Sequence, residues 1–172
     1  PKLAWVRNNE PHVHAKVSTV LLPKDYLRLW LTGERVAEMS DAAGTSWLDT
    51  GARDWSDELL DKSGLSRAAM PRLVEGADVS GTIRRDLAQR WGMGRSVVVA
   101  GGGGDNAASA VGVGAVSEGQ GFVSLGTSGV LFVANGGYRP APETAVHTFC
   151  HAVPGTWHQM GVIRAATHAL NW

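Results

Sequence analysis

The sequence has little cysteine, no excess charge of either sign and no long apolar run. Among its 172 residues, 16 Lys and Arg balance 16 Asp and Glu, so the formal net charge is zero. A protein that binds nucleic acid or a membrane surface normally carries a basic excess or basic runs, and neither is present. No stretch reaches the ~18 apolar residues that a membrane span needs. We therefore predict neither a nucleic-acid partner nor a membrane partner.

The single cysteine, Cys150, excludes an internal disulfide bond and is typical of a reducing compartment. The N-terminus has no apolar run behind a basic start, so it does not resemble a signal peptide. These two features predict a cytoplasmic location. The chain has no initiator Met and stops inside an apparently helical pattern that begins at Arg164. We therefore expect it to be an internal segment of a longer protein.

Glycine, in contrast, is abundant, with 22 residues that lie mostly between positions 92 and 137. The β-branched run 96–100 predicts a strand that is buried on both faces, as in α/β proteins. Four glycines, 101–104, follow this strand, and Asp105 and Asn106 come next, at the start of a helix of small residues. The predicted unit is a strand, a glycine turn, an acidic and an amide side chain, and a helix.

Asp105 is the first candidate for chemistry, because ligands bind at the carboxyl ends of strands in open α/β sheets. A carboxylate at a helix N-terminus stays ionised, and in phosphoryl transfer such a group can accept the proton of a substrate hydroxyl. Asn106 offers a donor and an acceptor, which suits a polyol. The alternative stays open that Asp105 is only a helix N-cap and Asn106 only a satisfied polar residue of the first turn.

The second candidate is the turn Gly126-Thr127-Ser128-Gly129, which lies between the apolar strands 121–125 and 130–133. This pattern predicts a β-hairpin. Its turn presents N–H and O–H donors without a bulky side chain, which is what a phosphate group needs. The alternative is a plain hairpin turn. The glycines match neither a Walker A loop nor a dinucleotide-binding fingerprint, because no lysine follows them and their spacing differs.

Three histidines and the cysteine lie close together, at positions His147, Cys150, His151 and His158. Their side chains are of the kinds that bind zinc. Adjacent residues of a strand point to opposite faces, however, so Cys150 and His151 cannot share one ion. We predict structural histidines, a buried thiol and no metal site.

Several motifs resemble the FGGY family of carbohydrate kinases. Residues 103–108 with 112–114 resemble the catalytic-aspartate turn and helix of the family, and residues 124–129 resemble its second phosphate motif. Residues 146–154 and 157–160 are similar to those of members that phosphorylate D-xylulose. The resemblance covers essentially the whole chain, including Pro1-Lys2-Leu3 with Trp5, Ser40-Asp41-Ala42-Ala43-Gly44-Thr45 and Arg53-Asp54-Trp55-Ser56.

The resemblance implies an α/β fold of the actin/hexokinase-like (ribonuclease H-like) kind, with two domains that this chain covers only in part. Residues 1–118 would be the C-terminal part of the N-terminal, sugar-binding domain, including the catalytic-aspartate helix. Residues 119–172 would begin the C-terminal, nucleotide-binding domain. Closure of the two domains would bend the chain at residues 101–104 and at the junction 117–121.

The activity that the resemblance implies is transfer of the γ-phosphoryl group of ATP, with Mg²⁺, to O5 of D-xylulose. Asp105 would be the base, and Asn106 would contact the sugar. Gly126, Thr127 and Ser128 would face the ATP phosphates, and no metal ligand carries over.

Two alternatives stay open: another acceptor (glycerol, ribulose or gluconate), or a non-catalytic actin-like module that binds nucleotide. The family's N-terminal phosphate hairpin is absent, so we expect the 172 residues alone to be inactive. A homodimer is also left open.

Overall fold

A computed structural model describes residues 1–94 and 96–170, so the two residues that end the predicted C-terminal helix lie outside the described part. The described helices are α1 (Lys2–Asn9), α2 (Pro11–His14), α3 (Pro23–Thr32), α4 (Met39–Ala42), α5 (Asp57–Lys62), α6 (Arg85–Arg90), α7 (Asp105–Val113) and α8 (Thr167–Leu170). The strands are β1 (Val36–Glu38), β2 (Leu48–Asp49), β3 (Asp54–Trp55), β4 (Arg72–Val74), β5 (Val79–Thr82), β6 (Val98–Ala100), β7 (Gly121–Leu125), β8 (Gly129–Asn135), β9 (His147–Cys150) and β10 (Trp157–Ile163).

The largest sheet is antiparallel, with the strand order β7-β8-β10-β9. β1 pairs with β4 in parallel, whereas β2 with β3 and β5 with β6 form antiparallel pairs. Among the described residues, no helix is long and apolar enough to cross a membrane.

Helix α3 connects the first half of the chain to the glycine segment 101–104. It begins with a proline in its first turn and ends at Gly33, whose φ of 85° is left-handed. Its buried residues are Asp25 and Arg28, whose Oδ1 and Nη1 atoms are 2.6 Å apart. The Arg28 guanidinium also donates to the carbonyls of Val36 in β1 and of Gly101. One buried arginine therefore holds α3, β1 and the glycine segment together.

The prediction of a strand buried on both faces over residues 96–100 is wrong in two respects. The strand, β6, is shorter, and Val98 is 54% exposed. It pairs antiparallel with β5 in a two-stranded sheet, and Val97, Val98 and Ala100 are exposed. A β-branched run indicates that a segment pairs as a strand, but other parts of the chain decide how much of it is buried.

The second half of the chain is built on helix α7 and the large sheet. One face of this sheet packs Phe122, Phe132 and Ala134 against Ala110 of α7 and Ala115 just beyond the helix. Alanine at these two positions lets the helix approach the aromatic side chains closely. The opposite face of the sheet is exposed, at Val123, Leu125, Leu131 and Ile163.

Candidate active site at the start of helix α7

Asp105 is the first residue of α7, and its side chain is exposed. Gly104 occupies the N-cap position, so the alternative that Asp105 is the N-cap is wrong by one residue. Asp105 Oδ1 accepts hydrogen bonds from the Asn106 backbone amide at 2.7 Å and from Asn106 Nδ2 at 3.1 Å. No hydrogen bond within the described residues uses Asp105 Oδ2. One carboxylate oxygen is thus held by its neighbour while the other is free to accept a proton.

Asp105 lines a small cleft of about 100 Å³. The cleft brings together residues that are far apart in the sequence, from α4, from the start of α7 and from strands β9 and β10. Its polar lining comes from Ser40, Asp41, Asp105, Asn106 and His158. A carboxylate at the edge of such a cleft can meet a hydroxyl group of a bound molecule.

Buried and half-buried charges surround the cleft on the side of α4. Lys24 Nζ lies 3.2 Å from Asp25 Oδ1, 3.6 Å from Asp41 Oδ2 and 3.8 Å from Glu38 Oε2. Burial raises the pKa of Asp41, and the positive charge of Lys24 opposes this rise. Burial also raises the pKa of Glu38, against hydrogen bonds from Ser40 and the charge of Lys24. The charge of Lys24 therefore favours the ionised form of the Glu38 and Asp41 carboxylates, against the effect of their burial.

The glycine segment before Asp105 is held at both ends. The Gly101 amide donates to the Asp78 carbonyl at 2.9 Å, and the Gly101 carbonyl accepts from Arg28. At the other end, the Gly104 amide donates to Ser40 Oγ at 2.9 Å. A Cβ atom on Gly101 would clash with the Glu75 carbonyl oxygen, so this position needs glycine for close packing.

The turn that joins β7 to β8 is held by two hydrogen bonds and also has donors without a partner among the described residues. The Gly126 amide donates to the Ser128 carbonyl at 2.9 Å, and Ser128 Oγ donates to the Arg164 carbonyl at 3.2 Å. No hydrogen bond within the described residues uses the Thr127 amide, the Thr127 hydroxyl or the Ser128 amide. These three donors belong to exposed residues, so an anion can reach them. The predicted hairpin is confirmed.

Strand β10 links the cleft to this turn. Met160 lines the cleft, and Ile163, three residues further along β10, pairs with Gly129 at the turn. A strand advances by about 3.3 Å per residue, so about 10 Å of strand separates the two places. Strand β10 therefore runs from the cleft that Asp105 lines to the turn at 126–128.

Comparisons with known proteins identify the family of this chain. The model of the N-terminal domain of the FGGY family of carbohydrate kinases matches residues 1–112. The chain belongs to the FGGY family of carbohydrate kinases. The xylulose kinase of Klebsiella pneumoniae is 56% identical over all 172 residues, and that of Escherichia coli is 54% identical. The chain spans 35% of the length of each of these two FGGY kinases.

Solved structures of FGGY kinases share the fold. A xyloylose kinase from Brucella ovis is 64% identical and superposes with a TM-score of 0.97, over the whole of this chain and 36% of its own. The fold is thus the actin/hexokinase-like fold of the FGGY kinases, of which the chain covers about a third. The predicted fold class is confirmed.

The histidines do not form a metal site with the cysteine. His151 Nδ1 accepts from the Val153 amide at 3.0 Å, so Nε2 carries the proton and donates to the Ala115 carbonyl, also at 3.0 Å. Cys150 is buried, and its burial raises the thiol pKa to about 11. Within residues 1–94 and 96–170, no group of three His, Cys, Asp or Glu side chains is arranged to hold a metal.

Sequence reasoning missed the residues that support Asp105, namely Lys24, Arg28, Glu38 and Ser40. Ser40 was noted only as part of a family motif, and nothing in the pattern shows that it contacts a residue 64 positions away. The one available signal was a cluster of charged residues at the start of α3 and the end of β1, where the neighbouring residues are apolar. Charges in such a setting are normally paired, and these are.

Proposed function

We propose that this chain is part of a kinase that transfers the γ-phosphoryl group of ATP to O5 of D-xylulose. The observation that carries the proposal is the Asp105 carboxylate, which is exposed, lines a cleft and keeps Oδ2 free of hydrogen bonds within the described residues. Relatives named xylulose kinase, similar over all 172 residues, support D-xylulose as the acceptor.

In this reaction, Asp105 Oδ2 takes the proton of the acceptor hydroxyl as the hydroxyl oxygen attacks the γ-phosphorus atom of ATP. The bond between that phosphorus and the bridging oxygen breaks, and ADP leaves with the bridging oxygen. Asn106 holds Asp105 Oδ1 through its amide groups, which leaves the side-chain carbonyl oxygen of Asn106 for a sugar hydroxyl. The transition state of phosphoryl transfer is loose, so the chain's main contribution is position.

The turn 126–128 supplies the contacts to ATP in this proposal. The free amides of Thr127 and Ser128 and the Thr127 hydroxyl are donors of the kind that phosphate oxygens accept. Asp41 and Asp105 present carboxylate oxygens to the same cleft, which is the ligand type that Mg²⁺ prefers. When bound, Mg²⁺ would neutralise charge on the phosphates, and Asp41 and Asp105 are the carboxylates of this cleft that would help to hold it. No group of three such side chains is arranged as a metal site among the described residues.

Domain assignment and location belong to the same proposal. Residues 1–118 would end the sugar-binding domain, since they include α7, and residues 119–172 would begin the nucleotide-binding domain, since they include the turn 126–128. The buried, unpaired thiol of Cys150 supports a cytoplasmic location.

The acceptor is tested on a full-length kinase that contains this segment. Release of ADP is measured with D-xylulose, ribulose, gluconate and glycerol as acceptors. We expect the highest kcat/KM with D-xylulose. Phosphorylation of glycerol without phosphorylation of D-xylulose would reject the proposed acceptor while leaving a kinase.

The role of Asp105 is tested with Asp105→Asn in the same full-length enzyme. Loss of a general base lowers kcat by about 10²–10⁴-fold, and we expect ATP binding, measured by calorimetry, to stay unchanged. The matched control is Asp86→Asn, because Asp86 is an exposed acid in the first turn of α6. Full kinase activity of Asp105→Asn would reject Asp105 as the base, whereas a wild-type protein that binds ATP but releases no ADP with any acceptor would favour the non-catalytic nucleotide-binding module.

A further inference from the structure

We propose that Glu38 and Ser40 are positioning residues for Asp105: they fix the start of α7 without contacting the substrate. This inference rests on the proposed role of Asp105 as the base. It concerns a contact between α4 and the glycine segment that no sequence motif indicates. Ser40 Oγ and the Gly104 amide are 2.9 Å apart, although 64 positions separate the two residues in the chain.

Glu38 is buried at the end of β1 and hydrogen-bonded to the start of α4. This side chain has no exposed surface, and its carboxylate accepts three hydrogen bonds. The donors are the Ser40 amide at 2.8 Å, Ser40 Oγ at 2.8 Å and the Asp41 amide at 3.2 Å. Glu38 therefore caps the short helix α4 and at the same time fixes the rotamer of Ser40.

The Ser40 hydroxyl donates to one partner and accepts from another. A serine hydroxyl has one proton, and here it goes to the Glu38 carboxylate. The lone pairs of Ser40 Oγ are then left to accept from the Gly104 amide. The Gly104 amide thus donates to Ser40 Oγ, and the Ser40 hydroxyl donates to the Glu38 carboxylate. We call this chain of two hydrogen bonds the relay. The charge of Glu38 orients the Ser40 hydroxyl so that its oxygen accepts from Gly104.

Gly104 immediately precedes Asp105 and caps α7. A Cβ atom built on Gly104 would lie 3.4 Å from Asp41 Cα and 3.6 Å from the Asp41 backbone nitrogen. The backbones of α4 and of the glycine segment are thus in close contact at this point. The relay and this contact together set where the Asp105 carboxylate stands in the cleft.

The four glycines before Asp105 need a hydrogen bond at each end to hold α7 in place. Glycine gives the backbone more freedom than any other residue, so residues 101–104 do not by themselves define the position of α7. Arg28 holds the Gly101 carbonyl at one end and Ser40 holds the Gly104 amide at the other. Without the second anchor, Asp105 would sample several positions relative to a bound hydroxyl.

The test compares Ser40→Ala and Glu38→Gln in the full-length kinase. A displacement of about 1 Å at a reacting group lowers the rate by about 10²-fold, so we expect Ser40→Ala to reduce kcat by about 10- to 100-fold. Ser40 lines the cleft, but its hydroxyl donates to Glu38 and accepts from the Gly104 amide, so in this proposal it does not bind substrate. KM for ATP and for D-xylulose should therefore change by less than about threefold. Glu38→Gln retains one acceptor oxygen and should lie between Ser40→Ala and wild type.

The matched control is Ser80→Ala. Ser80 is also buried, and its hydroxyl donates only to backbone carbonyls, of Val99 at 2.8 Å and of Ala100 at 3.2 Å. Removal of this hydroxyl should lower stability about as much as Ser40→Ala does but leave kcat within about twofold. Equal losses of kcat in both variants, in proportion to their melting temperatures, would reject a positioning role.

A second readout is independent of the sugar. Hydrogen–deuterium exchange of the peptide that contains Gly104 should be at least about tenfold faster in Ser40→Ala than in wild type, and unchanged in Ser80→Ala. Unchanged exchange together with unchanged kcat would overturn the proposal. If the wild-type enzyme does not phosphorylate D-xylulose but exchange is still faster in Ser40→Ala than in wild type, the proposed acceptor is rejected and the role of the relay is retained.

Discussion

At the scale of single residues, His158 is unusual because it is 2% exposed and neither ring nitrogen has a hydrogen-bond partner among the described residues. Its ring stacks on Phe132, with centroids 4.3 Å apart, and meets Phe149 edge-on. Burial, with a smaller effect of His151, lowers the pKa of His158 to about 4. The imidazole is therefore a neutral aromatic side chain in the fold, and a charge there has no counterpart.

This burial predicts a loss of stability in acid. In the unfolded chain His158 takes up a proton near pH 6.5, whereas in the fold it stays neutral down to about pH 4. Between these values the unfolded chain binds more protons, so the free energy of unfolding falls as the pH falls, by about 3 kcal/mol in total from this group. Urea unfolding at intervals from pH 7 to pH 4 measures the change.

The variant His158→Leu removes this titration and should flatten the curve between pH 6.5 and 4. The control is His147→Leu, because His147 is exposed on the neighbouring strand, and this variant should retain the wild-type slope. An unchanged slope in His158→Leu would mean that other groups cause the acid loss. At pH 7 we expect no large loss, since Leu has a similar size and leaves no polar atom unsatisfied.

At the scale of elements, the hairpin of β7 and β8 shows that its two flanking glycines are needed for different reasons. A Cβ atom on Gly129 would lie 2.7 Å from Ile163 Cγ2 and 3.1 Å from Ala166 Cβ. A Cβ atom on Gly126 would meet nothing closer than the Ser128 carbonyl oxygen at 3.6 Å. Gly129 is thus a packing requirement, and Gly126 leaves space where a phosphate group is proposed to sit.

The two glycines therefore predict opposite results for the same substitution. Gly129→Ala should lower the free energy of unfolding by about 1–3 kcal/mol, because an added methyl overpacks the contact with β10. Gly126→Ala should leave stability nearly unchanged and raise KM for ATP, because its methyl group enters the space next to the free amides. Thermal unfolding and ATP titration of the full-length kinase distinguish them. Equal effects of both variants on stability would contradict this reading of the turn.

Elements with a local signal could be predicted from the sequence, and long-range contacts could not. Proline and glycine fixed the ends of α3, and two apolar runs around a glycine-bounded turn fixed the hairpin. The prediction that the strand at 96–100 is buried was wrong, because β-branching does not specify what packs on a strand. Likewise, Asp105 could be singled out from its neighbours, whereas Ser40 joins it only through the folded chain.

At the scale of the whole molecule, the large sheet has one covered and one uncovered face. The covered face contacts α7, whereas the other exposes Val123, Leu125, Leu131 and Ile163, each more than half accessible. Contiguous exposed apolar side chains of this kind mark a surface that binds another part of a protein or another molecule. The chain spans about a third of its relatives, and we expect the remainder of a full-length kinase to cover this face.

The uncovered face predicts that one substitution has opposite effects in two contexts. In the isolated 172-residue segment, Leu131→Lys should reduce self-association, measured by sedimentation velocity, because it places a charge on the exposed apolar surface. In the full-length kinase, the same change should lower the melting temperature by at least about 5 °C, because the charge would be buried. An unchanged melting temperature would show that this face stays open in the intact protein.

The segment between α7 and β7 has a mechanical consequence. His151 ties the Ala115 carbonyl to the end of β9, and the Gln120 side chain accepts from the amides of Val116 and Ser117. The Gly119 amide and the Gln120 carbonyl are both bonded to Ala134 of β8. We expect these hydrogen bonds to make the connection between α7 and β7 resist bending. We therefore expect a rotation of the large sheet to carry along the helix that begins at Asp105.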